Sequence, residues 1–119
     1  MCKKIKIYLL FVIIFSPFFC RGQMSYESFQ QLTLDHGLSQ SCVYSIIQDS
    51  KGYMWFGTQS GVNKYNGKTF QIILHDLTDT NSLSNNWIYT MVEDQKGYIW
   101  VATRSGLNRL DPHTNKVKR

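Results

Sequence analysis

Beyond the first two dozen residues, the side chains whose type or spacing raises the question of chemistry are the paired Asp49 and Asp94, the histidines His36, His75 and His113, and the single cysteine Cys42. A pair of carboxylates is the tool of acid/base hydrolysis. Here, however, Asp49-Ser-Lys-Gly52 and Asp94-Gln-Lys-Gly97 are one turn written twice, so each aspartate is expected to cap its own turn. The histidines show no metal-ligand spacing and fall in loops or at the end, which predicts solvated side chains and no zinc site. No Ser/His/Asp or Cys/His arrangement is present. Cys42 aligns with Trp87, which predicts a partly buried apolar position instead of a reactive thiol. No metal, cofactor or enzymatic centre is expected.

A second set of residues suits recognition. Arg104, the amides of Gln40, Gln59, Asn85 and Asn86, and the indole of Trp87 can hydrogen-bond and stack against a sugar. They are scattered over more than sixty positions, so only a repeating topology can gather them on one rim.

That repeat is explicit. With Leu38 placed over Leu83, Leu38 to Asn66 aligns without gaps to Leu83 to Asp111, and 12 of 29 positions are identical. They include Asp49/Asp94, Gly52/Gly97, Trp55/Trp100, Gly61/Gly106 and Asn63/Asn108. A period of 45 residues belongs either to helical pairs or to propeller blades. Val43 to Gln48 and Tyr53 to Thr58 are rich in β-branched and aromatic residues around a Gly-containing turn, which reads as a hairpin. Gln59-Ser-Gly61 turns into Val62 to Tyr65, and Asn66-Gly67 is a two-residue hairpin signal before a fourth strand from Thr69 to Leu74. Val43 and Ile47 on one face, and Tyr44 and Ile46 on the other, predict a strand covered on both sides. A 3.6-residue apolar stripe is absent, so the fold class is all-β, with about two four-stranded β-propeller blades.

In such a blade Gly52, Gly61, Gly67, Gly97 and Gly106 are turn residues, Trp55 and Trp100 pack between blades, and Asn63 and Asn108 bond backbone near a loop. Up-and-down topology puts Gln59, Arg104, Gln40, Asn85, Asn86 and Trp87 on one rim and the Asp49 to Gly52 turn on the other.

Gly37-Leu-Ser-Gln40, Asp49 to Thr58, Ser60 to Phe70 and Asn81 to Ser84 closely resemble the two-component regulator propeller repeat. The resemblance runs from about Ser28 to Leu110. It implies an exported sensor with seven-bladed propellers, preceding a β-sandwich, a membrane helix and a histidine kinase core, and responding to oligosaccharides. The present chain, which shows none of the kinase segments, is then expected to be the amino-terminal piece of a periplasmic sensor controlling transcription. The alternative is a small secreted carbohydrate-binding protein whose copies complete a propeller together. The expected partners are further blades, of the same protein or of other copies, and an oligosaccharide.

The chain of 119 residues divides as follows. Residues 1–22 join Lys3, Lys4 and Lys6 to an apolar run from Ile7 to Phe19, too short for the ~20 residues of a membrane span, and read as a signal peptide cut after Gly22. An acylated Cys20 is the other reading, against which Phe18 and Phe19 stand where small residues are wanted. Residues 23–37 include Ser28 to Leu34, a candidate ring-closing strand; 38–82 form the first repeat and 83–119 an incomplete second. Of the thirteen Lys and Arg, four precede residue 23, leaving nine against eight acidic residues. That balance gives no basic footprint for nucleic acid, and Cys42 alone can form no internal disulfide or cysteine-ligated zinc site.

Overall fold

The computed structural model describes residues 28–119; the expected signal peptide, residues 1–22, lies outside them. Eight strands form two antiparallel sheets in chain order. The first contains β1 (Val43–Gln48), β2 (Met54–Thr58), β3 (Gly61–Tyr65) and β4 (Phe70–Ile73). The second contains β5 (Ile88–Glu93), β6 (Ile99–Thr103), β7 (Gly106–Leu110) and β8 (Val117–Lys118). We call them blade 1 and blade 2. The fold is all-β with blades of the propeller kind, as the repeat predicts, and the second unit already has its fourth strand, although that strand is two residues long.

Each turn is built by its own residues. Gly52 takes φ 90° and Gly97 φ 82°, and each N–H reaches back to the carbonyl of its aspartate at 3.0 Å. That is the positive-φ closure for which glycine is suited. The β3/β4 hairpin differs from expectation by one residue. The Asn66 N–H donates to the Thr69 carbonyl, so Gly67 and Lys68 are its central pair. The Asn66 Oδ1 accepts from the N–H groups of both Lys68 and Thr69, which draws asparagine out of the centre and into the closing position.

Register puts the core between the blades. In blade 1 the row Ile47, Trp55, Lys64, Gln71 shares one face with Gly57, Val62 and Ile73. In blade 2 the opposite face carries Ile88, Met91, Val101, Ile99, Leu110 and Val117. The two faces meet in one apolar cluster with Leu83. Gly57 is the notch in this contact, because a Cβ there would stand 2.7 Å from Ile88 Cγ2.

One expectation about blade 1 is corrected. The strand β1 is covered on one face only: Tyr44 is 46% and Ile46 57% exposed, because no blade lies against that side. A β-bulge at Tyr44, repeated at Tyr89, also breaks the simple alternation. The segment from Ser28 to Leu34, expected to complete the last blade of a closed ring, lies outside both sheets here. Instead Leu32 packs on the small cluster of Leu38, Phe56 and Tyr65, and Leu34–His36 make a 3-10 turn in which Thr33 and His36 cap one another.

Candidate functional site

The sites follow from the turns. At the Asp49 end, Oδ1 accepts from the N–H groups of Lys51 (3.0 Å) and Tyr53 (2.9 Å), and Oδ2 accepts from the Trp55 indole at 2.8 Å. Asp94 repeats this with Lys96, Tyr98 and Trp100. The indole bond, foremost, holds the Asp94 carboxyl below its ordinary value of 3.8. Both carboxylates are thus occupied in structure, as turn caps, and six residues separate each aspartate from the indole it fixes. That link was missed at the sequence level, although the repeated Asp/Trp spacing carries it.

Asn63 and Asn108 are fully buried. Each side-chain oxygen accepts from a serine N–H, of Ser39 at 2.8 Å and Ser84 at 2.9 Å. Each amide donates back to the same serine's hydroxyl and to backbone carbonyls on β2 or β6 and at the following turn. The incoming connection is thereby pinned to the blade.

On the opposite rim the recognition set is brought together. The Gln59 N–H donates to Gln40 Oε1 at 3.0 Å, and the Gln59 amide donates to the Tyr44 hydroxyl. Beside it, Gly61 N–H donates to the Asn86 carbonyl at 2.8 Å, joining the blade 1 turn to the connection that enters blade 2. There Arg104 N–H donates to the Trp87 carbonyl, and the guanidinium lies 5.4 Å from the centre of the Trp87 ring. The Tyr89 ring centre stands 6.4 Å from that of Trp87.

The set then divides by what each side chain already holds. Asn86 Oδ1 accepts from His75 N–H at 2.6 Å. Asn85 accepts from Trp87 N–H and donates to Ser105. Together with Gln40 these amides position loops. Arg104 is exposed and Trp87 half-buried, with an indole N–H that is buried and meets no hydrogen-bond partner among the described residues. The side chains of Arg104, Trp87 and Gln59, by contrast, hold no backbone group among the described residues.

Three smaller readings change. Cys42 is exposed: the tryptophan at the matching position covers its surroundings with a large ring under Arg104, which a thiol cannot do. His75 is not simply solvated, because Nδ1 bonds the Leu83 carbonyl. His113 Nε2 meets Lys51 Nζ at 2.9 Å. Among the described residues, no three His, Cys, Asp or Glu side chains converge to hold a metal.

A cleft that sequence reasoning missed, of about 350 Å³, opens on the Asp49 rim among Ser50, Lys51, Glu93, Lys96, Tyr98 and His113. Its polar groups largely serve the contact between blades. Ser50 donates through its N–H (2.8 Å) and hydroxyl (2.6 Å) to Glu93, and Lys64 Nζ donates to the Pro112 carbonyl at 2.6 Å. Charged residues in the hairpin turns were the available signal.

Comparison with known proteins agrees with this architecture. The family described as two component regulator propeller matches residues 37–60 and 82–105, one stretch in each unit. Histidine kinase P4 of Formosa agariphila is 38% identical over 78 residues, which cover 66% of this chain and 6% of the kinase. The solved extracellular domain assigned to the hybrid two-component system BT3049 of B. thetaiotaomicron superposes with a TM-score of 0.67 at 33% identity, covering 75% of this chain and 13% of that one. That of BT4673 from the same organism gives 0.53 at 30% identity, covering 65% and 10%. The chain therefore spans a small part of each of these relatives. Each unit carries a match to the two component regulator propeller family, and the chain is homologous to the sensor domains of hybrid two-component histidine kinases.

Proposed function

We propose that this chain is the beginning of the exported, ligand-sensing propeller of a hybrid two-component histidine kinase. Phosphotransfer resides elsewhere in the longer protein, and an oligosaccharide is the ligand class met at the Arg104 rim. One observation carries the reading. The outer face of blade 2 repeats, position by position, the face that blade 1 buries, yet Val92 is 59% and Leu107 58% exposed there. An apolar sheet face of this kind is built to be covered, and the sensor relatives contain many more residues than this chain.

Two measurements test the proposal. Sequencing past codon 119 is expected to show an open frame with further Asp-x-Lys-Gly and tryptophan-containing units, then a kinase core. A stop followed by an unrelated gene overturns the sensor reading. For the ligand, tryptophan fluorescence of the purified chain titrated with an oligosaccharide panel is expected to respond, with the response lost in Arg104→Ala. A response that Arg104→Ala leaves unchanged removes the rim from the proposal.

A further inference from the structure

We infer that the Arg104 position is an oxyanion subsite, one that takes the carboxylate or sulfate group of an acidic sugar. The inference rests on the Arg104 rim as the ligand-facing rim and adds the charge of what binds there. It begins with the two repeats. The capping aspartates, the turn glycines and the pinning asparagines are identical in both. The rim positions are not: Gln40, Ser41, Cys42 and Gln59 of the first repeat stand where the second has Asn85, Asn86, Trp87 and Arg104. Changing loop-end residues on a constant scaffold is how a rigid fold varies what it binds.

Charge on this rim has one sign. The segments that meet there, residues 38–44, 57–61, 83–90 and 102–106, contain no aspartate or glutamate, and Arg104 is their one full charge. The charged groups of the adjoining linker are engaged locally. Asp76 accepts from Thr78, Asp79 accepts from the Asn81 N–H, and Arg119 donates to the carbonyls of Asp79, Ser82 and Leu83. On the opposite rim Lys51 and Lys96 share their cleft with Asp49, Glu93 and Asp111, so that opposite charges offset one another. An anion is therefore drawn to the rim where a cation stands without carboxylates.

The setting of Arg104 suits such a group. Its guanidinium lies over the Trp87 ring, 5.4 Å from the ring centre. Held through its face, a guanidinium keeps its N–H edge for two parallel bonds to an oxyanion, and its weak hydration eases the exchange of water for that partner. Tyr89, 52% exposed, stands beside Trp87 and offers a ring on which the apolar face of a sugar can rest. Blade 1 is closed to this use. Gln59 carries no charge and donates its amide to the Tyr44 hydroxyl, and Cys42 supplies no ring for a cation to lie on.

Calorimetric titration of the purified chain with matched sugars tests this: oligogalacturonate against its carboxyl-reduced form, and a sulfated galactan oligosaccharide against its desulfated form. In at least one pair the acidic member is expected to bind at least about tenfold more tightly, the factor that one charge-assisted contact supplies. The preference should shrink with added salt, vanish in Arg104→Gln and persist in weakened form in Arg104→Lys, which keeps the charge and loses the fork. Which pair shows it tells carboxylate from sulfate. Because Arg104 is exposed, far-ultraviolet circular dichroism should be unchanged in both variants. Equal affinity within both pairs overturns the inference and leaves an oligosaccharide-binding rim standing, and a preference that Arg104→Gln leaves intact overturns it too. Galacturonate monomer or inorganic sulfate bound at Arg104, with no gain from longer sugars, supports the subsite and defeats the oligosaccharide reading. Silence to every one of these probes overturns both.

Discussion

Trp55 and Trp100 occupy the same position of the same repeat and each donates its indole N–H to the aspartate six residues earlier, yet Trp55 is completely buried and Trp100 only in part. Val62 and Leu107 differ in the same sense on that face. On the opposite face the order reverses: Met91 of blade 2 is 4% exposed, whereas its counterpart Ile46 of blade 1 is largely open. Blade 1 is covered where blade 2 is bare, and the reverse. The internal hydrogen bonds of the two blades are nearly the same, so the difference lies in neighbours. Within a blade the repeat sets conformation, and the next sheet sets how much each side chain contributes to stability.

The largest test of this contrast is truncation of the two tryptophans. Trp55→Ala is expected to cost about 3–5 kcal/mol, the range for deleting a buried tryptophan. Trp100→Ala, from the half-covered face, should cost roughly 1–2 kcal/mol. Denaturant unfolding at one protein concentration compares them, and equal losses would mean that the open face of blade 2 is covered in solution. A smaller effect is expected at the notch. Gly57→Ala drives a methyl into Ile88 and should cost about 1–3 kcal/mol by overpacking. The mirror change Ala102→Gly meets no such neighbour and should lose only the ~0.5–1 kcal/mol of added chain freedom.

The smallest effect is in pH. The Asp94 carboxyl is held below its ordinary value chiefly by the Trp100 indole. A depressed folded value means that the stabilising contribution is present above the unfolded value near 3.8 and is lost as pH falls through the folded one. Trp100→Phe removes the leading cause, so the Asp94 carboxyl resonance should titrate at higher pH than in the wild type. An unchanged titration would place the cause in the backbone N–H groups of Tyr98 and Lys96 instead.

Much of this was readable in the residues. The Asp-x-Lys-Gly turns, the strand pairs and the pinning role of Asn63 and Asn108 depend on contacts within one repeat, and the repeat is printed twice. That Gln40, Gln59, Asn85, Asn86, Trp87 and Arg104 share one rim was legible in outline, because up-and-down topology decides which turns share an end. What each rim side chain is doing was not. Asn86 is held by His75, and Asn85 by Trp87 and Ser105, which follows from the path of the linker through residues 74–87 and has no signature in residue type. The bulges at Tyr44 and Tyr89 were equally hidden, since one extra residue in a ladder shows itself only once the partner strand is in place.

Residue order alone determined a doubled four-stranded unit, its turn glycines and its capping aspartates, because these are settled by steric and hydrogen-bonding preferences acting over a few residues. Only the folded arrangement decided which faces are covered, that Cys42 lies exposed while Trp87 is half-buried, and that Leu32 rests on the open face of blade 1. Burial depends on which sheet lies opposite, and that is a relation between distant parts of the chain.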